Sequence, residues 1–423
     1  MTPILRTLPF VTGLMLASPS DAAVCQVPLK IVNIGTSDAP MYKIGINVGL
    51  GGGAPRLYEF DTGGAGFWAA YDGKKREASQ WWGAYTPIAP GSMSIQYTSG
   101  NEYTANLVGT QVALFDPKSK TAASPLCTTP DAVQISQITQ FSNSYSKNLA
   151  GQWNRRLAHG QGPLFKHFWG DFGAALHPAI GTTNSQGAYT VLNQFQTGAA
   201  HNGFIVHVGD LTKPGRQSPY VQIGLNTADI MSFPYQFPMN PECSAAGPYS
   251  HKCPPWTNFS NTSVDSFAEA QFNADVVISG PRTTQTDVMP GMGIIIDSGA
   301  TLANIFQNPT CVTNCAVSQP FIRKPAVIPD VSPVLYAGPL KNGYSATVTG
   351  TTNENTTFCA SLTQTAHPLN SSVSASYSAS KAASGTGGTM NTGVLFYSDW
   401  DVMYDVTAGI IGFRPSTKTC CLP

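Results

Sequence analysis

Apolar residues in this chain alternate with polar ones, or come in short unbroken runs, far more often than they fall at helical spacing. Met41–Gly49 (MYKIGINVG), Leu107–Phe115 (LVGTQVALF), Gly203–Gly209 (GFIVHVG) and Ala274–Gly280 (ADVVISG) all have this pattern, with Gly or Pro close by, and it predicts strands. Helical patterns are few and short; Asp265–Gln271 and Gly187–Phe195 are the better two. The low-complexity tract Ser371–Thr392 predicts a mobile surface loop. The proline-rich stretch Met239–Asn261 predicts a second excursion. At 423 residues the chain has room for two lobes and a large core. It is 42% hydrophobic but only 11% charged, against about 25% in ordinary soluble domains. With 41 Gly and 32 Pro, that balance suits an all-β protein with many turns. Net charge is zero with no long basic run, so nothing points to nucleic acid or to an acidic substrate.

The first residues carry one positive charge at Arg6, an apolar stretch from Leu8 to Ala17, and small residues at Ser20 and Ala22. That arrangement predicts a secretory signal over 1–23, too short to span a bilayer, and a mature protein that is secreted, periplasmic or extracellular. The rival readings, a buried first strand or a lipid anchor at Cys25, fit less well. No later segment is apolar enough to cross a membrane. Nine cysteines fit an oxidising compartment as structural staples. Cys311 and Cys315 could close a tight loop, and Cys243 and Cys253 a larger one. Cys25, Cys127, Cys359, Cys420 and Cys421 leave the pairing open. No C-x-x-C pair or histidine cluster accompanies them, so no metal is expected.

One pattern occurs twice. YEFDTGGAGFW (Tyr58–Trp68) and GIIIDSGATL (Gly293–Leu302) each run an apolar strand into Asp-(Thr/Ser)-Gly, which places Asp61 and Asp297 236 residues apart. Each is followed later by an apolar stretch closed by glycine, Pro178–Gly181 in the first half and Gly409–Phe413 in the second. Such a repeat predicts two similar β lobes whose acids meet at their interface. One motif alone is most simply a turn after a strand; one per half-chain is harder to dismiss. Two carboxyls that meet cannot both stay ionised, so one serves as base on a water while the other donates a proton to a carbonyl oxygen. Gly63 and Gly299 let the backbone pass close by with N–H donors, and Thr62 and Ser298 carry hydroxyls able to tie the two loops together.

On these residues the chain resembles the pepsin-like aspartic peptidases. DTGGAGFW is similar to the family's first catalytic motif, with Trp68 at its tryptophan. Ser94–Leu114 resembles the flap hairpin, with Tyr97 at the flap tyrosine and Thr98, Ser99 and Gly100 as its turn. GIIIDSGATL resembles the second motif and Val402–Phe413 the last strands of the second lobe. The resemblance implies an all-β bilobal fold with a central cleft, an N-terminal lobe over 24–200 holding Asp61 and the flap, and a C-terminal lobe over 201–423 holding Asp297. It implies a monomeric endopeptidase needing no cofactor, with Asp61 and Asp297 catalytic. Tyr97, Thr98, Gly63 and Gly299 would touch a polypeptide substrate or a pepstatin-type inhibitor, and Thr62, Ser298 and Trp68 would support the site. Three departures stand out: Gly64 and Ala300, where the family usually has a hydroxyl, and Phe396, where it has Gly. The first two remove a donor from each acid and predict a milder pH optimum. The third bears on the packing behind Asp297. Only about 38 residues lie between Ala23 and Asp61, which leads us to expect no pro-segment.

The competing reading is a catalytically silent relative, an inhibitor or surface interaction protein, favoured by those three departures. A serine hydrolase lacks its G-x-S-x-G, and the seven histidines are scattered; a zinc peptidase lacks H-E-x-x-H. Trp81-Trp82 could line a pocket but reads more simply as core. Asp399, Asp401 and Asp405 could suggest calcium but fit turn and strand-end acids better. N-x-S/T occurs at Asn258, Asn261, Asn355 and Asn370 and matters only in a eukaryotic secretory route.

Overall fold

The computed structural model describes residues 24–72, 81–97, 99–180, 187–211, 213, 216, 218–241, 256–257, 263–264, 266–281, 286–307, 326–328, 335–352, 354–363, 373–376 and 388–416. The expected signal, Thr98, Gly181, most of the Met239–Asn261 stretch, and six cysteines (Cys243, Cys253, Cys311, Cys315, Cys420 and Cys421) lie outside them.

The first strands are β1 (Cys25–Pro28), β2 (Lys30–Asn33), β3 (Tyr42–Leu50), β4 (Arg56–Asp61) and β5 (Phe67–Ala70). Then come β6 (Thr86–Gln96), β7 (Asn101–Thr110), β8 (Val112–Phe115), β9 (Cys127–Thr128), β10 (Val133–Asn143) and β11 (Gly170–Gly173). The middle of the chain supplies β12 (Ala179–Ile180), β13 (Gly187–Ala188), β14 (His201–His207), β15 (Tyr220–Leu225), β16 (Tyr235–Pro238), β17 (Trp256–Thr257) and β18 (Ser263–Val264). The second half adds β19 (Phe272–Ser279), β20 (Thr286–Ile295), β21 (Ala303–Gln307), β22 (Ala326–Ile328), β23 (Leu335–Pro339) and β24 (Ser345–Thr351). It ends with β25 (Thr357–Thr363), β26 (Val373–Ser376), β27 (Gly388–Asn391), β28 (Trp400–Asp405) and β29 (Ile410–Pro415).

The first large sheet has the order β6-β7-β10-β5-β11-β4-β3-β8-β9, with β2 beside β3. The second has the order β22-β23-β26-β21-β27-β20-β19-β24-β25. Position for position, each strand of the second sheet lies sixteen strands beyond its counterpart in the first. Directions match as well. β11 runs parallel to β4 and antiparallel to β5, as β27 does to β20 and β21. The architecture is therefore all-β and bilobal, one topology built twice. A third sheet, β1-β15-β14-β28-β29-β16, draws strands from both halves of the chain.

β4 and β11 lie side by side in the middle of the first sheet, and their buried aromatics form its core. Phe172 lies 6.2 Å from Phe60 and 4.9 Å from Phe67, which meets Tyr58 edge-on at 4.9 Å. In the second half Phe237, Phe272, Phe358 and Phe413 gather in the same way. Trp81 and Trp82 are core: both are buried, and both indole N–H groups donate to the Ala70 carbonyl.

Several expectations need correction. The two glycine-closed apolar stretches are not counterparts: Ala179–Ile180 pairs with β13, whereas Ile410–Pro415 lies in the shared sheet, and the matching strands beside β4 and β20 are β11 and β27. Ser371–Thr392 is not a single surface loop, because β27 lies inside it with Met390 fully buried. Its small residues suit a strand wedged between two neighbours. Gly187–Phe195 forms a short strand and one 3-10 turn rather than an α-helix, and Ser266–Gln271 is not helical. The longest helix described, α1 (Lys147–Ala158), packs Trp153 and Leu157 inward at i, i+4, with Trp153 stacked 4.6 Å from Phe141. Asn355 is exposed in the β24–β25 turn at φ +60°; the other three N-x-S/T asparagines lie outside the described residues.

Cys25 and Cys127 form a disulfide with Cα atoms 6.2 Å apart, and Cys359 is disulfide-bonded too. The Cys25–Cys127 bond fastens β1 of the shared sheet to β9 at the rim of the first large sheet. Replacing both with Ser is expected to lower the unfolding free energy by about 2–5 kcal/mol, read as a lower urea midpoint. An unmoved midpoint would contradict this.

Candidate active site

β4 delivers Asp61 at its last residue, and Asp297 follows β20 by two residues. The two loops face each other so closely that each glycine sits against the other loop's acid. A Cβ on Gly63 would lie 2.7 and 2.8 Å from the Asp297 carboxylate oxygens, and a Cβ on Gly299 would collide with the Asp61 carboxyl. No side chain fits at either position, and this steric fact accounts for the glycine in each motif.

Reciprocal hydrogen bonds hold the loops in that pose. The Thr62 N–H donates to Ser298 Oγ at 3.0 Å, and the Ser298 N–H donates to Thr62 Oγ1 at 2.9 Å. Each hydroxyl then donates across the interface, Thr62 to the Ile296 carbonyl at 2.9 Å and Ser298 to the Phe60 carbonyl at 2.7 Å. Both side chains are fully buried, so this lock is dry. Tyr397 Oη, 2.9 Å from Thr62 Oγ1 and 3.0 Å from Tyr404 Oη, extends it. Phe396 opens the short helix α2 (Phe396–Asp399) that places Tyr397, and it packs on Trp400 and Phe413. A second tie comes from Lys43 on β3, whose ammonium pairs with Glu59 of its own sheet and donates to the Gly299 carbonyl at 2.5 Å.

Each acid is cradled by its own loop. Asp61 Oδ1 accepts from the N–H groups of Gly63 and Gly64 at 2.8 and 2.9 Å. Asp297 Oδ1 accepts from those of Gly299 and Ala300 at 2.7 and 2.9 Å. Beyond that the environments diverge. Asp297 is half-buried, and its Oδ2 accepts from Asn391 Nδ2 at 2.5 Å. Asp61 is buried, and burial first, then the charges of Asp297, Asp171 and Glu59, push its carboxyl well above the usual carboxylate range. Burial raises Glu59 as well, despite Lys43. Burial opposes the charge on Lys43, but the attraction of Glu59, Asp61 and Asp297 outweighs it and the ammonium is raised. The loss of both hydroxyl donors therefore needs correction: Ala300 has none, but Asn391 supplies one to Asp297 from β27. Gly64 offers Asp61 no such side chain; the side-chain hydrogen-bond partner of Asp61 is Asp297. At Gly64 a Cβ would come within 2.8 Å of Asp61 Oδ2, so a serine there would crowd the acid.

Tyr97 follows β6 at the end of the β6–β7 hairpin, where its N–H donates to the Asn101 carbonyl and Gly100 turns the chain at φ +80°. Its hydroxyl donates to Asp171 Oδ2 at 2.5 Å. Asp171 lies on β11 beside Glu59 of β4, and its Oδ2 is 3.1 Å from where a Gly64 Cβ would stand. Trp68 is fully buried, spends its indole N–H on the Ala65 carbonyl at 2.8 Å, and packs on Tyr103, which in turn packs on Tyr97. Thr98 is outside the described residues. Sequence reasoning missed Lys43, Glu59, Asp171, Asn391 and Tyr397. A signal for the first three was present: each is a charged residue with uncharged, mostly apolar or aromatic neighbours on both sides in a strand, in a chain with few charges. No group of three or more His, Cys, Asp or Glu suited to a metal occurs among the described residues. Asp401 and Asp405 bind Arg414, His207 and His201 instead.

The Thr62 hydroxyl satisfies both the Ile296 carbonyl and the Ser298 N–H, so Thr62→Val leaves two buried polar groups unpaired. We expect a loss of about 2–4 kcal/mol in chemical denaturation. A stability equal to wild type would show that the lock contributes nothing.

No family model matches this chain, and no curated protein matches it. Among solved structures, an aspartic proteinase from Irpex lacteus is similar at a TM-score of 0.49 and 16% identity, over 94% of this chain and 99% of that one. At that distance the chemistry of the site rests on its own geometry.

Proposed function

We propose that this chain is an exported aspartic endopeptidase that hydrolyses peptide bonds of polypeptide substrates with one water held between Asp61 and Asp297. The observation that carries this reading is the meeting of two carboxyls from duplicated loops, each seated against the other loop's glycine. Asp61, buried among other acids, holds the shared proton. Asp297, with three hydrogen-bond donors, serves as the base. Asp297 takes a proton from the water as its oxygen attacks the scissile carbonyl carbon, and Asp61 passes its proton to the carbonyl oxygen. The tetrahedral intermediate then collapses: Asp297 gives its proton to the amide nitrogen, a hydroxyl of the intermediate returns a proton to Asp61, the C–N bond breaks, and a carboxyl and an amine leave with both acids restored. No step requires a cofactor. The β6–β7 hairpin, with Tyr97 at its end, covers the bound peptide as a flap. Export after removal of 1–23, action as a monomer and sensitivity to pepstatin-type inhibitors belong to the same reading. The silent-binder alternative predicts peptide binding without turnover.

Asp61→Asn and Asp297→Asn should each lower kcat by roughly 10²–10⁴-fold while leaving the unfolding transition in place. Turnover equal to wild type in either variant would sink the proposal. A second outcome concerns pH. A carboxyl raised by burial and like charges keeps its proton to higher pH, so activity should persist above the usual carboxylate range and fall as Asp61 ionises. An alkaline limb of kcat/KM centred near an ordinary carboxylate value of about 4 would contradict this.

A further inference from the structure

Asp171 is 4% exposed and is neither of the two reacting acids, yet it stands between the flap and Asp61. Its two oxygens have opposite environments. Oδ2 accepts the Tyr97 hydroxyl at 2.5 Å, the length of a charge-assisted O–H···O⁻ bond. Oδ1 is buried and has no hydrogen-bond partner among the described residues, a costly state for an anion. One side favours the carboxylate and the other the acid, so the group is poised to change charge.

The groups facing it sharpen the point. Glu59 on β4 is its cross-strand neighbour, with Lys43 of β3 paired to Glu59. Asp61 and Asp297 approach from the two loops, Tyr97 from the flap and Tyr103 from β7. Four carboxyls thus surround one ammonium, and that ammonium is already committed to Glu59 and to the Gly299 carbonyl. The excess negative charge must be offset by protons, and Asp171 is the acid through which such a proton touches the flap.

We propose that Asp171 is a positioning residue for the reaction: it anchors the flap through the Tyr97 hydroxyl and, through its own charge, shares the titration of Asp61. The anchor is strongest when Asp171 is ionised, because the bond from Tyr97 is then charge-assisted. That same charge makes Asp61 hold its proton more tightly. Flap order and the readiness of the general acid therefore change together with pH. The inference rests on the peptidase reading for its catalytic half, whereas its structural half is readable without turnover.

The test uses the full mature chain with Asp171→Asn, Asp171→Leu and Tyr97→Phe. Asn keeps an acceptor for Tyr97 but removes the charge; Leu removes both; Tyr97→Phe removes the donor and leaves Asp171 untouched. Hydrogen exchange at the amides of residue 97 and Gly100 should speed up on the order of tenfold in Asp171→Leu and Tyr97→Phe, and by a smaller factor in Asp171→Asn, which keeps an acceptor but loses the charge. The alkaline limb of kcat/KM should move down by about one pH unit in Asp171→Asn, since Asp61 then loses its proton earlier. Unmoved exchange in both Tyr97→Phe and Asp171→Leu would overturn the anchor, and an unmoved limb in Asp171→Asn would overturn the shared titration. A wild-type chain that cleaves nothing would refute the peptidase reading, while the exchange measurement would still decide the anchor.

Discussion

The structure depends on one close approach, in which two loops from two lobes come so near that each carboxyl rests where the other loop's side chain would be. Two acids in such proximity repel when both are charged, and burial of Asp61 adds the cost of desolvation. The Thr62–Ser298 bonds hold the loops in a pose the charges alone would oppose. Because that lock is dry and reciprocal, neither loop can shift without exposing the polar groups of the other. Adding one proton to the pair relieves the repulsion, and that single shared proton is the chemical property that the proposed reaction uses.

Duplication supplies this geometry, and divergence gives it direction. The two nine-strand orders are identical, so a symmetric chain would place both acids in the same environment. The strands beside them break the symmetry. β11 brings Asp171 and β4 brings Glu59 to the Asp61 side, whereas β27 brings Asn391, a neutral donor, to Asp297. Burial among acids favours the protonated form of Asp61, while Asp297 Oδ2 faces an amide donor. In the proposed reaction the distinct acid and base roles rest on these few side chains, set on strands of one repeated topology.

Much of this was legible in the sequence because the pattern was local. The strands at Tyr42–Leu50 and Phe272–Ser279 and both Asp-(Thr/Ser)-Gly motifs follow from residues adjacent in the chain, and the hairpin before Gly100 from the family resemblance of Ser94–Leu114. The partners far apart in the chain did not. Asn391 lies 94 residues beyond Asp297 in a tract so rich in Ser and Gly that composition argues for a loop, and only the strands on either side make β27 a strand. The helix at Lys147–Ala158 was missed for a similar reason: Gly151 and two asparagines weaken its propensity, and packing of Trp153 against Phe141 outweighs them. Asp171 could have been suspected as a lone acid in an apolar strand, but its pairing with Tyr97, 74 residues earlier, needed the fold.

The central claim is that the two acids together act on a peptide bond, and digestion of a mixed peptide library by the purified mature chain at mildly acid pH, with and without pepstatin, tests it most directly. Cleavage that pepstatin abolishes at about one inhibitor per chain is the predicted result. Intact peptides over the whole acid range, or cleavage that saturating pepstatin leaves unchanged, would contradict it.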